Sequence, residues 1–539
     1  MRRISMALAA ALLAAACTAD PETDTATAGC DSAFTSALSR WADAGFSGAL
    51  AIGDGAGDCR AAFGMADEST PNTDETVFAI GSISKAFTAA AVIGLADEGA
   101  FALEDRAGAL LPGLEGPAAD TTVEQLLLRT SGLGGVLGED HRPLERDEAI
   151  ARLSALNPAF EPGTEFSYSN AGYVLLALIV DETTGDYRGY LAEEILRVDG
   201  EPIGGFWDGE PAAPGPRAVG VVDGQPSRQN GEFAGPHWAL AGNGDLAMTA
   251  AELHAWTRGL FTGEVIAPEA VDLLLGTGFD NGDGTEELPG WVSVGPDVFG
   301  APLITASGGG GDTGHNAVAA WLPETGTALA AASNSEAVIA GELVEAIAPA
   351  FIAGDPIPAP EGAAEVDPAE LQAREGVYTI ESGSTFHVTA TEDGLEVAAD
   401  GADAAAALFS SSEFSADDVA AHEADVLALL NGGTDAGRDE REAIEADLGA
   451  IEGGELHTYV RIRTAGDGVL GWYTLEEHGG VGAVSLGVEP PAFTLVPTGD
   501  GEYRQADLAG AGAGVRVSFE DDLMTAHGTA GTVEARRDA

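Results

Sequence analysis

The chain has 539 residues, 45% of them hydrophobic, which is enough for more than one domain and a large core and argues against wholesale disorder. Its formal net charge of −64 excludes nucleic acid as a partner, since phosphates would be repelled across the whole surface. Acidic excess with scarce lysine fits a surface kept soluble in high salt; the functional alternative is a field that attracts cationic substrates.

Arg2 and Arg3 precede an apolar run, Ile4 to Ala16, too short to span a bilayer and suited to a signal peptide. The run ends at Ala14-Ala15-Ala16-Cys17 and then turns acidic. This resembles a bacterial lipobox, with residues 1–17 as the signal segment, Cys17 as the lipidated membrane anchor and 18–30 as an acidic tether. Leu13 stands one position earlier than the usual lipobox leucine, so ordinary cleavage to a periplasmic or extracellular chain is the alternative. Only three cysteines exist, so giving Cys17 to a lipid leaves Cys30 and Cys59 as an even pair. In an oxidising compartment they could close a loop of about 30 residues, worth roughly 3 kcal/mol in the chain-entropy model. Two buried thiols are the alternative.

Residues 31–354 read as one large mixed domain. A helix over Ala33 to Ala44 leads to strands at Ser47 to Ile52 and Arg60 to Met65, separated by the Asp54-Gly55 turn. Ala86 to Ala96 is almost wholly apolar and ends at Gly99, which predicts a buried helix. A further helix is expected from Ala171 to Glu182, then strands at Ala317 to Leu322 and Ala328 to Ala332, then a helix from Ser335 to Phe351. The proline-spaced segment opening at Asp355-Pro356 makes 355–368 a linker. Residues 369–539 read as a small antiparallel barrel or sandwich. Its hairpins are Phe386 to Ala390 with Leu395 to Val397 around Asp393-Gly394, and Leu456 to Arg463 with Val469 to Leu475 around Gly466-Asp467-Gly468. One helix, Ala416 to Leu430, interrupts the series, and no 20- to 50-residue repeat is present.

The chemistry concentrates at the chain's single lysine. Of its 24 basic residues, 23 are arginine; only Lys85 can readily lose its proton when desolvated. Ser82 lies three residues upstream, a coincidence expected in roughly one such chain in twenty, so it is suggestive alone. Placed at the start of the buried helix, that spacing puts both side chains on one face, with Ser82 in the first turn. The helix N-terminus favours an alkoxide on Ser82 and disfavours an ammonium nearby, and burial lowers the Lys85 pKa further. The amine can then act as a general base without histidine. Tyr168-Ser169-Asn170 follows a Pro162-Gly163 turn at another helix entrance. Taken alone it is a capped helix start; with Ser82 and Lys85 it adds a phenol relay and an orienting amide.

Four segments carry a resemblance. Phe78 to Thr88, containing Ser82-Ile83-Ser84-Lys85, resembles the nucleophile motif of the class C β-lactamase and penicillin-binding-protein-like serine hydrolases. Leu126-Leu127-Leu128-Arg129-Thr130-Ser131-Gly132-Leu133 is similar to that family's Leu-Leu-x-His-Thr-Ser-Gly-Leu, with Arg129 replacing histidine. Phe160 to Tyr173 resembles its second motif, and Gly242 to Thr249 its later Gly-x-Gly segment, which passes beneath the site. The resemblance implies an α+β fold: an antiparallel sheet flanked by helices, with a small β-barrel often appended. It also implies that Ser82 is acylated, that Lys85 and Tyr168 shuttle its proton, and that Asn170 holds Lys85 and a substrate amide. The oxyanion would take the Ser82 N–H and one N–H from the strand of the third motif.

That third motif departs from the family's Lys-Thr-Gly or His-x-Gly. The chain offers Ser307-Gly308-Gly309-Gly310-Gly311-Asp312-Thr313-Gly314-His315, so either Gly308 or Ser307 occupies the cationic position. Neither can pair with a substrate carboxylate, while the backbone role survives. His315 could fold back over the site, though a lone histidine in a Gly-rich loop is more often a bystander. Small amides, D-amino-acid peptides or esters are the expected substrates, with no cofactor and no metal. Asp280 to Gly284 reads as an acidic hairpin turn. Two alternatives stand: a β-lactamase or DD-carboxypeptidase with another cation such as Arg129 supplying the charge, and a non-catalytic ligand-binding surface protein.

Overall fold

The computed structural model describes residues 26–538 except 56, 223, 229–230, 234, 283, 311–312, 361–363, 365, 392–393, 410–420, 428–441, 453–454, 464–468, 476–480, 487–489, 500, 507–514 and 529–530. The 1–17 segment, Cys17 and most of the 18–30 tether therefore lie outside the described residues. So do Asp393, the Gly466-Asp467-Gly468 turn, Gly311, Asp312 and both ends of the Ala416 to Leu430 helix, of which 421–427 is helical.

A nine-stranded sheet organises the first part of the chain. Its strands are β1 (Ala26–Ala28), β2 (Gly48–Gly53), β3 (Cys59–Phe63), β4 (Phe279–Asp280), β5 (Thr285–Leu288), β6 (Trp291–Val294), β7 (Leu303–Gly310), β8 (His315–Leu322) and β9 (Thr327–Ser333). They lie in the order β1-β3-β2-β9-β8-β7-β6-β5-β4, all antiparallel. Helices cover both faces, which is why β8 and β9 read as continuous apolar runs. Along β8, Ala317, Ala319 and Trp321 enter one core while Val318, Ala320 and Leu322 enter the other. The first core holds α2 (Ser84–Asp97), α3 (Asn170–Thr184) and α4 (Ala250–Phe261). The second holds α1 (Ser32–Asp43) and α5 (Ala340–Ala353). Ala328, Ala330 and Ala332 of β9 all face the first core, and their small side chains let helices approach closely.

The helix expected from Ser335 begins five residues later. Ser335 Oγ donates to the Gly45 carbonyl at 2.8 Å and Val338 bridges to Phe46, so the chain runs extended over α1's exit before it coils. Cys30 and Cys59 are joined as a disulfide that ties the segment before α1 to β3.

After α5 the linker lies along this body: Ile357 enters the second core and Trp41 Nε1 donates to the Pro358 carbonyl at 2.9 Å. Beyond it, eight strands close an antiparallel barrel: Gly376–Ile380, Thr385–Ala390, Leu395–Asp400, Ala492–Gly499, Glu502–Gln505, Arg516–Glu520, Leu523–Gly528 and Gly531–Arg537. Tyr378, Phe386, Leu495, Tyr503 and Phe519 fill its core, as expected at eight strands. Ala402–Phe409, a helix the sequence reading missed, adds Ala404, Ala405 and Leu408 to that core. The hairpin at 455–475 is not part of the barrel. It belongs to a separate four-stranded sheet inserted between the barrel's third and fourth strands.

Candidate active site

Ser82 occupies a 3₁₀ turn, Gly81–Ile83, and α2 begins only at Ser84. The sequence placed Ser82 inside the helix. A tighter turn intervenes, entered through Gly81 at φ +51°, a conformation glycine adopts freely. Residues i and i+3 eclipse in a 3₁₀ turn, so Ser82 and Lys85 still share a face. Two polar side chains of α2 fix what lies beneath them. Ser84 Oγ accepts from Leu246 N (3.1 Å), and Thr88 Oγ1 donates to the Gly242 carbonyl (2.9 Å). The Gly242 to Leu246 segment is thereby strapped against the helix.

Lys85 is wholly buried. Its Nζ lies 3.0 Å from Ser82 Oγ, 2.6 Å from Tyr168 Oη and 3.1 Å from the Asn243 carbonyl, and the two hydroxyls are 2.6 Å apart. Burial pushes the amine well below its ordinary 10.5, and the nearby Arg129 charge acts the same way. A neutral amine has two N–H groups and one lone pair. The Asn243 carbonyl must take an N–H, so one hydroxyl receives the other and the second hydroxyl donates to the lone pair. This closed triangle can exchange a proton between oxygen and nitrogen without rearranging heavy atoms. Tyr168 is 47% exposed, so its phenol remains within reach of a bound molecule.

Tyr168 is held from behind. Ser167 N donates to the Arg129 carbonyl at 3.0 Å, Gly163 N to the Thr130 carbonyl at 2.7 Å, and Ser169 caps α3 by accepting from Gly172 N at 2.9 Å. Arg129 lies under the Tyr168 ring, its guanidinium carbon 5.3 Å from the ring centroid. It is buried and paired with buried Glu287 of β5 at 2.9 Å. Arg129 therefore cannot serve as the cleft cation of the β-lactamase alternative, because its charge is committed inside.

Asn170 is the first residue of α3 and lines the cavity beside Ser82. No hydrogen bond joins it to Lys85 among the described residues. The orienting contact implied for it is made instead by the Asn243 carbonyl, which α2 itself holds in place.

The third-motif strand β7 runs directly against the Ser82 turn. A Cβ on Gly308 would lie 2.2 Å from the Ile80 carbonyl oxygen and 2.6 Å from Ser82 N. A Cβ on Gly81 would lie 2.9 Å from Gly309 N. Gly308 thus faces backbone rather than cleft, so neither it nor exposed Ser307, which is absent from the cavity wall, marks a cationic position. Gly309 lines the cavity, and Gly310 continues the ladder opposite His315. His315 does not fold over the site. It is buried, and its Nδ1 accepts from Ala79 N at 2.9 Å, which leaves the proton on Nε2. Burial takes its pKa down to about 3.

The cavity at Ser82 has a volume of about 230 Å³. Trp207 and Phe233 line it with Asp140, Asp208, Asp245 and Arg188. Burial raises the Asp245 carboxyl to about 6, against the opposing pull of Arg188, whose Nη2 is 3.9 Å away. Asp245 Oδ1 has no hydrogen-bond partner among the described residues. Arg188 spends its two Nη groups on the Glu210 and Asp208 carbonyls at 2.9 Å each.

Sequence reasoning missed Asn243 as a ligand of the amine, although it had marked Gly242-Asn243-Gly244. Glu287 had no local signal, since it meets Arg129 across 158 positions of chain.

Comparison with known proteins places the chain in a family. A family model described as Beta-lactamase matches residues 39–351. Penicillin-binding protein 4* of Bacillus subtilis is 33% identical over 145 residues, which is 25% of this chain and 32% of that one. Esterase EstB of Burkholderia gladioli is 33% identical over 193 residues, 31% of this chain and 47% of its own. The chain thus spans less than half the length of either relative. The octameric penicillin-binding protein homologue from Pyrococcus abyssi shares the fold, with a TM-score of 0.55 at 18% identity over 93% of this chain and 99% of that one. With more than half its length matched by the family model, the chain belongs to the Beta-lactamase family of serine hydrolases.

Proposed function

We propose that the protein hydrolyses small amides, D-amino-acid peptides or esters through an acyl-enzyme at Ser82. One observation carries this: the Ser82, Lys85 and Tyr168 polar atoms lie within 3.0 Å of one another around an amine whose charged form burial disfavours. In the first step Lys85 takes the Ser82 proton, directly or through Tyr168, as Oγ bonds to the substrate carbonyl carbon. The oxyanion is received by the N–H groups of Ser82 and Gly309. Collapse breaks the bond to the leaving group, which accepts the proton back through Tyr168. Water then adds to the acyl carbon, gives its proton to the same pair, and the acid is released as Oγ regains its hydrogen.

Two features support esters and amine-bearing amides over β-lactams. The third-motif strand carries no cation, and the cavity wall carries Asp245, whose charge Arg188 only partly offsets. A substrate ammonium would be drawn to that end above a pH of about 6, where the Asp245 carboxyl ionises. Intact mass after fluorophosphonate treatment in high salt tests the reading. A single adduct on the wild type that is absent from Ser82→Ala is expected; no adduct on folded protein would move the non-catalytic binding reading ahead. A substrate panel turned over fastest with cephalosporins would overturn the substrate class.

The same proposal places the protein outside the cytoplasm, anchored through a lipidated Cys17; the Cys30–Cys59 disulfide supports an oxidising compartment. Mass analysis of the mature N-terminus is expected to find a diacylglyceryl Cys17. An unmodified terminus elsewhere would favour ordinary cleavage.

A further inference from the structure

We propose that the buried Arg129–Glu287 pair positions Tyr168 and supplies a fixed cation beneath the Ser82–Lys85–Tyr168 triangle, with Glu287 as its partial counter-charge. The inference rests on the acyl-transfer reading above and concerns what sets the protonation state of that site.

Several observations converge on it. The Arg129 guanidinium carbon stands 5.3 Å from the Tyr168 centroid and 5.8 Å from that of Tyr173, within range of a cation–π contact to both. The Arg129 backbone sits at φ +57°, a left-handed conformation that a non-glycine residue adopts at a cost. That conformation aims its carbonyl at Ser167 N, one residue before the phenol, while the side chain turns under the ring. Arg129 therefore bears on Tyr168 twice, through its carbonyl at the preceding residue and through its guanidinium at the ring. Its Nε has no hydrogen-bond partner among the described residues.

Arginine, unlike histidine, cannot shed its charge, and a buried permanent cation needs a nearby anion. Glu287 meets that need. It is brought in by the β4–β5 hairpin across the Asp280 to Gly284 turn, and Asn281 Nδ2 donates to its Oε1 at 3.4 Å. The pair is thus a unit: Arg129 at the position of the family's usual histidine requires the carboxylate on β5.

The electrostatic consequence has a definite sign. A cation behind Tyr168 disfavours a second cation on Lys85. Glu287, of opposite sign, weakens that effect. The other ionisable groups around the amine are Tyr168 itself, from the 160–169 loop, and Tyr173 of α3, whose centroid is 5.9 Å from Nζ. The Gly242 to Leu246 segment presents only the Asn243 carbonyl to the amine and carries Asp245 toward the cavity.

The test is the rate of fluorophosphonate labelling of Ser82 between pH 5 and 10, with Tm recorded for each protein. Arg129→Gln should move the acidic limb to higher pH, because Lys85 loses a neighbouring cation. Glu287→Gln should move it to lower pH, because the Arg129 field is no longer offset. The Arg129→Gln/Glu287→Gln double variant should fall between wild type and Arg129→Gln. Separations on the order of one pH unit are expected for buried charges. If a single variant fails to fold, the double variant decides, because it leaves no buried charge unpaired: its limb should lie above that of the wild type. Coincident limbs, with rate losses that merely follow Tm, would overturn the inference while leaving the acyl-transfer reading intact. Absence of labelling in the wild type would remove the acyl-transfer reading and this inference with it.

Discussion

Lys85→Met should lower the rate of Ser82 acylation by about 10³-fold or more, the span of a lost general base, while making the folded protein no less stable. Methionine keeps most of the stem that α2 buries and removes only the amine. Ser82 Oγ and Tyr168 Oη would remain 2.6 Å apart, but neither hydroxyl is a base near neutral pH. The stability half of the prediction follows from linkage. In the folded state the Lys85 pKa lies well below 10.5, whereas the unfolded chain binds the proton up to about that pH. The unfolded state therefore holds more protons throughout the window between the two values, and stability falls as pH drops through it. The wild type thus carries a penalty at neutral pH that fades toward pH 10.5, and the methionine variant escapes it. Its Tm advantage should be present at neutral pH and shrink as pH rises toward 10.5. An inactive variant that also loses stability, by the same amount at pH 7 and pH 10, would indicate a structural role for the amine rather than a catalytic one.

The parts of the site that were legible in the sequence are those written locally. Ser82 and Lys85 are three residues apart, and the apolar run that follows them announces a buried helix, so desolvation of the amine could be inferred from pattern alone. Tyr168 was readable because the Pro162-Gly163 turn and the Ser169 cap announce a helix entrance. What escaped was written across long separations. The Asn243 carbonyl reaches Lys85 over 158 residues, and Glu287 reaches Arg129 over the same span. A backbone acceptor leaves no trace in residue type, which explains why Asn170 was given a role that Asn243 fills. The barrel was legible from its alternating hairpins, yet the division at 442–486 was not. Strands of the inserted sheet alternate like barrel strands, and only the pairing of Leu395–Asp400 with Ala492–Gly499 reveals the insertion.

Gly308→Ala should reduce acylation by about 10²–10³-fold, the effect of displacing one oxyanion donor, although it adds a single methyl group. The new carbon would stand 2.2 Å from the Ile80 carbonyl oxygen, 2.6 Å from Ser82 N and 2.7 Å from Ile83 N. All three are backbone atoms, so no side chain can rotate aside. β7 cannot easily yield either, because from Ile304 to Gly310 it is paired residue by residue with β8. The strand and the Ser82 turn must separate, which would pull the Gly309 N–H away from the Ser82 N–H and open the oxyanion pocket proposed for the two amides. Overpacking of this kind costs roughly 1–3 kcal/mol, so the protein should still fold. Ser307→Ala, on the exposed neighbouring position, is the control and should change the rate by no more than a few-fold. Wild-type labelling of Gly308→Ala would mean that the strand does not supply the second amide. Loss confined to Gly308→Ala would explain why this strand can lack a cation and still require its glycine: at that position the chain uses the absence of a side chain, which brings a backbone N–H within reach of the reacting carbonyl.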